Sequence, residues 1–503
     1  MIENFITGFF NIFQFSNIIA LLVGALVGYI VGAIPGLTPS IGIALLIPFT
    51  FTLEPITALV LLVILYVAAE YGGGITAILL NAPGTPAAAA TAFDGYPMVK
   101  KGRAGEALAL SITASGIGAF TSAILLIFTA LPMAHFALKF GPFEYFALAL
   151  FGLCLVSSLS EGSIIKSFIA LFIGLLAITI GMDPVDGIPR FAYINDLLEG
   201  IPFLPALIGL FALSEVFYML EDDEGLNKRV EKVSNFSFKE TIMSLSKMKG
   251  NLVRSPLIGY VLGVIPGAGA TIASIVSYNE AKRVSKSKDT FGKGNPEGVV
   301  ASEAANNAAV PGSLAPLLAL GIPGSASAAI IIGALTMQGL QPGPLLFDEN
   351  PEIPYSIFVA LLISAPILLI IGLYGSKLLV HVTRIPKKVL AVLVAGIAIL
   401  GAYAYSNSLY PVWIMLISGV LGYLFRKVKI PTTPIVLAMV LGFMMEVNLR
   451  RGLIVSNGNY MVIFERPITI VLLILALITL FLPLFKKIND RRELQKCKVE
   501  NWK

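Results

Sequence analysis

Two carboxylates stand where carboxylates are costly. Glu70 closes the apolar run PITALVLLVILYVAAE (55–70) and is followed by Tyr71-Gly72-Gly73-Gly74. Glu303 lies in VVASEAANNAAVPGS (299–313), with Asn306, Asn307, Gly312 and Ser313 behind it. Ionisable groups inside a bilayer are rare, and they mark ion pathways or proton relays. Glu70, Gly72, Gly73, Glu303, Asn306, Asn307, Gly312 and Ser313 are therefore the candidates for ion coupling. Na⁺ is the one metal ion this set suits, and H⁺ is the alternative coupling ion. A position near a membrane interface is the competing reading for both carboxylates.

A second set of residues could handle a small anion. Pro35 and Gly36 interrupt an oily segment and are followed by Thr38 and Ser40. Pro266 and Gly267 do the same, followed by Gly269, Thr271 and Ser274. Asn81, Pro83, Gly84 and Thr85 form a further interruption, matched by Pro323, Gly324, Ser325 and Ser327. Proline removes a backbone donor and clashes with the preceding helical turn. A glycine beside it permits unusual dihedrals. Such breaks free backbone N–H and C=O groups, which hydrocarbon cannot satisfy but a ligand or a polar cavity can. Helix N-termini suit anions, and unwound carbonyls suit Na⁺. The glycine-rich stretches 71–74 and 306–313 are expected to add further breaks. Close packing of helices through small residues is the competing reading for each Ser and Thr taken singly.

The elements that must hold these residues follow from composition. Only 13% of the 503 residues are charged and 56% are hydrophobic, against about 25% charged in a soluble domain. Apolar runs long enough to cross a bilayer recur along the chain. The fold class expected is all-α, a polytopic membrane protein with broken helices and re-entrant hairpins. Uninterrupted spans are expected near 105–132, 143–160, 164–181, 201–220, 354–380, 388–405, 409–425, 431–446 and 467–485. Interrupted ones fall at 17–50, 55–98, 253–280 and 297–340. The N-terminal residues lack a basic leader and a cleavage site, so a short interfacial helix is expected rather than a removed signal.

The halves repeat. GAIPG (32–36) returns as GVIPG (263–267), 231 residues later, and NAPGTPAAA (81–89) returns as GIPGSASAA (321–329), 240 residues later. Equal order and similar offsets argue for an internal repeat. The loops flanking the paired motifs exchange charge character. NEAKRVSKSKD and MVKKGR are basic where TFTLEP and FDENPE are acidic. Basic loops favour the cytoplasm, so two inverted repeats are expected. The division is a first repeat over 1–220, a cytoplasmic connector over 221–252, a second repeat with an extra helix over 253–485, and a cytoplasmic tail over 486–503. The N-terminus falls outside if 17–50 and 253–280 enter and return on one side.

Several chemistries find no support. His135 and His381 lack metal-ligand spacing, and Cys154 and Cys497 make no disulfide framework. GAGATIA lacks the Lys-Ser/Thr ending of a phosphate-binding loop. The net charge of +5 reflects short basic loops, so nucleic acid is not an expected partner. No nucleophile stands in register with a base, so the chain is not read as an enzyme, and no cofactor is expected.

Four segments carry a resemblance that spans essentially the whole chain. They are IPGLTPSIGIALLIPFTF, YGGGITAILLNAPGTPAAAATAFDGYPMVKKGRAGEAL, GVIPGAGATIASIVSYNEAKR and NNAAVPGSLAPLLALGIPGSASAAIIIGAL. Together they resemble the large membrane subunit (TctA-like permease) of the tripartite tricarboxylate transporter family. The resemblance implies uptake of a tri-, di- or aromatic carboxylate across a prokaryotic inner or plasma membrane. It implies an ion gradient as the driving force, with no ATPase. It also implies a small membrane subunit and an extracytoplasmic solute-binding protein as partners. A passive pore for small anions is the competing function. A pore would equilibrate its cargo without accumulating it.

Overall fold

The computed structural model describes residues 2–159, 163–221, 237–382 and 385–481. The tail expected over 486–503 and residues 222–236 of the expected connector lie outside the described residues. The described chain is almost wholly helical. In order, the helices are α1 (Ile2–Ile12), α2 (Phe15–Ala33), α3 (Pro39–Thr50), α4 (Pro55–Leu80), α5 (Ala89–Lys100) and α6 (Ala104–Ala137). Next come α7 (Pro142–Leu159), α8 (Ile164–Ile178), α9 (Phe203–Leu207), α10 (Ser214–Glu221), α11 (Phe238–Lys247), α12 (Lys249–Val264) and α13 (Gly269–Val284). Then follow α14 (Pro296–Leu320), α15 (Ala326–Met337), α16 (Leu345–Glu349), α17 (Glu352–Val382), α18 (Lys387–Ala404), α19 (Tyr410–Lys427) and α20 (Thr433–Val455). An apolar helix, α21, occupies Pro467–Phe481. Two short strands, β1 (Gly181–Met182) and β2 (Pro189–Arg190), pair antiparallel.

Seven helices among the described residues are long and apolar enough to cross a membrane, and the chain is a multi-pass membrane protein. They are α2, α4, α6, the composite Phe203–Glu221, Glu352–Ser376 within α17, α18 and α20. Four expected spans are helices outside that set: α7, α8, α19 and α21. The expected span 164–181 stops at Ile178 because the chain turns into β1 at Gly181.

The chain divides into two compact units, 1–137 with 202–423, and 138–201 with 424–503. The first unit holds both repeated motifs. Its centre is α4, buried without interruption from Thr57 to Leu80, and α14, buried from Gly298 to Ala319. These helices pack through small residues, and the contacts recur at the two offsets. A Cβ on Gly28 would stand 2.5 Å from the Leu65 carbonyl oxygen, and one on Gly72 would stand 2.6 Å from that of Tyr29. Gly32 presses on the Ala69 backbone, and Gly84 on the Gly32 carbonyl. In the second half Gly259 presses on Ala305, Gly263 on Ala309, and a Cβ on Gly312 would stand 2.6 Å from the Tyr260 carbonyl oxygen. Gly324 completes the set: a Cβ there would stand 2.7 Å from the Gly263 carbonyl oxygen. Each of these four contacts of the first half thus has its partner in the second. The repeat is one of packing as well as of sequence.

The broken segments form where the Pro-Gly pairs stand. α2 ends at Ala33, Ile34 is extended, and Gly36 takes φ +100° before Thr38 caps α3 by accepting Ile41 N–H at 3.4 Å. α12 ends at Val264, Ile265 is extended, and Gly267 takes φ +84° before α13 starts. Each arm of this second element has 16 residues, about 24 Å at 1.5 Å per residue and short of a ~30 Å hydrocarbon core. The second interruptions also correspond. α4 ends on Asn81 and α14 on Gly321, both left-handed with φ of 52° and 71°.

The stretches 71–74 and 306–313 are a correction. Neither is a break: α4 runs through the first and α14 through the second. Their glycines serve close approach instead. A Cβ on Gly73 would stand 2.5 Å from Thr85 Oγ1, and one on Gly74 would stand 2.6 Å from Glu303 Oε1. Surrounded by protein, both helices continue through these stretches, with only Pro311 lacking a backbone donor.

The second unit is built from α7, α8, α20 and α21. Gly174 of α8 fits against the Ile435 carbonyl of α20, and Gly452 of α20 lies against the Phe143 ring of α7. Buried Glu144 accepts Gly141 N–H and Arg466 Nη1, each at 2.9 Å, and Thr469 Oγ1 at 3.1 Å. In the β1–β2 loop, Asp183 Oδ1 accepts the N–H groups of Val185 and Asp186 at 2.8 and 2.9 Å. Arg450 reaches Asp183 at 2.9 Å and Asp186 at 2.8 Å.

Candidate substrate and ion site

The four interruptions bring hydroxyl groups to the starts of helices. Ser325 caps α15 by accepting Ala328 N–H at 3.1 Å, as Thr38 caps α3. The two capped ends meet. Ser40 Oγ and Ser327 Oγ lie 2.9 Å apart, each in the first turn or so of its own 12-residue helix. Tyr66 of α4 shares a hydrogen bond with Ser325 at 3.0 Å, and Ser313 and Ser327 lie close to the same phenol. Residues from both halves therefore surround one region, with Ser40 and Tyr66 from the first and Ser313, Ser325 and Ser327 from the second. Paired helix N-termini offer free N–H groups and partial positive charge. That arrangement favours a small anion.

Two polar centres lie beside it. In one, Thr85 donates to Glu70 Oε2 at 2.8 Å, and the Asn306 amide lies beside the same carboxylate. In the other, Glu303 is fully buried and accepts Thr91 Oγ1 at 2.6 Å and Ser115 Oγ at 2.8 Å. Asn307 donates to Ser115 at 2.7 Å and more weakly to Glu303 at 3.4 Å. Ser302 joins Thr91 at 3.1 Å. Among the described residues only neutral donors hold either carboxylate, and no basic side chain acts on them. Buried charge of this kind is costly unless compensated.

The remaining candidates divide. Pro35, Pro83, Pro266 and Pro323 stand in the interruptions themselves, and Gly84 and Gly324 let those turns approach Gly32 and Gly263. Gly267 N–H donates to the Gly324 carbonyl at 3.2 Å, tying the two breaks of the second half together. Gly269 opens α13 with φ +58°. The Asn81 side chain is exposed, and the residue ends α4 through its left-handed backbone, a conformation that asparagine tolerates. Thr271 is half-buried, and its carbonyl accepts the Ser274 hydroxyl at 3.0 Å within α13. Gly72 and Gly312 are contact points between helices.

Sequence reasoning missed Tyr66, Thr91, Ser115 and Asp94. The signal for Ser115 was present: Ser111, Ser115, Gly118 and Ser122 recur at helical spacing along α6. That stripe faces α14, where Gly118 abuts Ala304 and Ser122 donates to the Ala308 carbonyl at 2.6 Å. It also missed Glu215, a buried carboxylate whose Oε1 would lie 2.6 Å from a Cβ on Gly36.

The family model described as "Tripartite tricarboxylate transporter TctA family" matches residues 18–437. A protein of Agrobacterium vitis, "Uncharacterized 52.8 kDa protein in TAR-I ttuC' 3'region", is 37% identical over 494 residues, 98% of each chain. A second from the same organism, "Uncharacterized protein in TAR-II ttuC' 3'region", is 37% identical over 235 residues, covering 47% of this chain and 97% of its own. No solved structure matches the chain.

Proposed function

The chain belongs to the tripartite tricarboxylate transporter TctA family, and from that premise we propose that it is the permease through which an organic carboxylate is taken up against its gradient. The cargo is a tri-, di- or aromatic carboxylate handed over by an extracytoplasmic solute-binding protein. A Na⁺ or H⁺ gradient drives uptake, and a small membrane subunit completes the assembly. The membrane is a prokaryotic inner or plasma membrane, with the C-terminus cytoplasmic and the N-terminus outside. The two repeats are inverted and expose a midplane site alternately to each side.

The observation that carries this reading is the meeting of α3 and α15 at Ser40 and Ser327, 2.9 Å apart. Two helix N-termini converging from different repeats make an anion cradle that belongs to neither repeat alone. Movement of one repeat against the other would open that cradle. Glu70 and Glu303, without basic partners, supply the negative charge that draws a coupling cation.

The test is uptake of labelled citrate and a panel of di- and monocarboxylates into vesicles that contain the chain, its small subunit and its binding protein. Na⁺ and H⁺ gradients are imposed separately. Accumulation above equilibrium under one gradient is the expected result, and it names cargo and ion together. Equilibration without accumulation would establish the passive pore instead.

A further inference from the structure

The two halves cross at the site, and the two arms of the cross differ. Tyr66 and Asn306 hold corresponding places in α4 and α14, 240 residues apart, as do Thr85 and Ser325. Tyr66 reaches into the second half and shares a hydrogen bond with Ser325 at 3.0 Å. Asn306 points the opposite way, beside Glu70, whose Oε2 is held by Thr85 at 2.8 Å. Here the arm is open. Asn306 is fully buried, its amide lies against the Glu70 carboxylate without a well-formed hydrogen bond, and its amide oxygen has no partner. A buried polar group left this way is costly, and such exceptions mark a place where something else binds.

We infer that Glu70, Thr85 and Asn306 form the site of one monovalent alkali cation, with Na⁺ as the probe ion, which closes the open arm and joins α4 to α14. The ligands would be a carboxylate, a hydroxyl and an amide oxygen. Hard oxygen donors of this kind suit alkali and alkaline-earth ions and not thiophilic metals. One carboxylate in the set matches one positive charge. The Asn307 amide oxygen beside Glu303 also lacks a partner, but Glu303 itself already accepts Thr91 and Ser115 and acts on Glu70 only through space. It deepens the negative potential without being a ligand. Neither end of the amide is held by a well-formed hydrogen bond. Its oxygen faces the cation, and its N–H₂ is the donor that a carboxylate cargo bound alongside would take. One residue would then sense both. This assignment rests on the transport reading above and narrows its ion-coupling residues to one of the two centres.

The experiment uses the purified full chain in nanodiscs. Its melting temperature is followed as NaCl replaces choline chloride at constant ionic strength. The wild-type chain should melt higher as Na⁺ rises, and the effect should saturate. Asn306→Ala and Glu70→Gln should raise the half-saturating Na⁺ on the order of tenfold or more, the usual scale for losing a hydrogen-bonding or ligating contact to a charge. Asn306→Asp keeps an oxygen ligand and should retain the response. Glu303→Gln should retain it too, with a weaker affinity. The melting temperature in choline alone reports whether each variant is folded, and Thr85→Ala replaces any that is not. A wild-type chain indifferent to Na⁺ would overturn the site. So would an unchanged Na⁺ dependence in both Asn306→Ala and Glu70→Gln, or a loss confined to Glu303→Gln. Uptake in vesicles separates the two proposals. Proton-driven accumulation by a chain blind to Na⁺ removes only the cation site. Na⁺ stabilisation without any gradient-driven carboxylate uptake removes the transport reading and leaves the site.

Discussion

The Asp94 carboxylate accepts the Tyr278 hydroxyl at 2.9 Å, linking α5 in the first half of the chain to α13 in the second. Its other oxygen accepts the N–H groups of Gly294 and Asn295, each at 2.8 Å. One fully buried side chain thus ties down the approach to α14. Asp94→Ala should strand three donors, at about 1–3 kcal/mol for each that stays buried. The expected result is a lower melting temperature and faster proteolysis within 285–295. Asp94→Asn, which keeps one acceptor, should fall between. An Asp94→Ala chain with wild-type protease resistance would show that the tie does not hold the loop.

Gly36 and Gly267 should resist replacement for a backbone reason. Their φ values of +100° and +84° are ones that residues with a Cβ avoid, at a cost of roughly 1–2 kcal/mol or more. Val at either position should reduce carboxylate uptake while leaving membrane insertion intact. Gly102 is the control: its φ is +76°, and nothing lies within 4 Å of the added Cβ. Gly102→Ala should cost stability without affecting uptake. Normal uptake by both Gly36→Val and Gly267→Val would detach these breaks from transport.

Ser115→Ala should be more damaging than its small size suggests. It removes one of the two short hydrogen bonds to Glu303 and the acceptor of the Asn307 amide. A loss of about 1–3 kcal/mol is expected, read as a drop in melting temperature. Ser115→Thr should restore most of it where the extra methyl fits. If Ser115→Ala melts like wild type, Glu303 does not depend on these donors.

The β1–β2 loop should loosen in acid. Asp183 is held below the usual carboxylate range by the N–H groups of Asp186 and Val185, with Arg450 and Arg190 adding to the effect. A carboxyl whose pKa is depressed by folding contributes stability above its unfolded pKa, about 3.9. That contribution is lost as pH falls through the folded value. Protease sensitivity of residues 181–200 should therefore rise below about pH 4 in the wild type. In Asp183→Asn it should already be high at neutral pH and change little in that window. A wild-type loop equally sensitive at pH 3 and pH 7 would contradict this.

How much of this was written in the sequence depends on the range of the interaction. The Pro-Gly breaks were legible because their cause is local: a missing donor and a permissive glycine act on their own helical turn. The repeat was legible because the packing glycines keep their order at fixed offsets. The Gly72–Gly74 run misled because glycine has two uses. It can end a helix, or it can let another chain come near, and only the neighbours decide. Here Tyr29, Thr85 and Glu303 are those neighbours, the last more than 200 residues away along the chain. Asn81 suggested an amide ligand, and the structure places it at a helix end, a position that favours the same residue. Thr91 and Ser115 went unremarked because a hydroxyl on an apolar helix is unremarkable until a carboxylate lies opposite. The separation of 138–201 with 424–503 as a unit depends on contacts between distant segments, and no local pattern announces it.

The polarity of α14 has a consequence for how the chain is made. α14 carries Glu297, Ser302, Glu303, Asn306, Asn307 and two internal prolines, and it is not among the helices apolar enough to cross a membrane unaided. Lipid would not accept it readily as a lone segment. Its carboxylate finds its hydroxyl donors on residues synthesised 212 and 188 positions earlier. Those donors are already made when α14 leaves the ribosome, so the first half of the chain can offer this polar helix partners that lipid cannot.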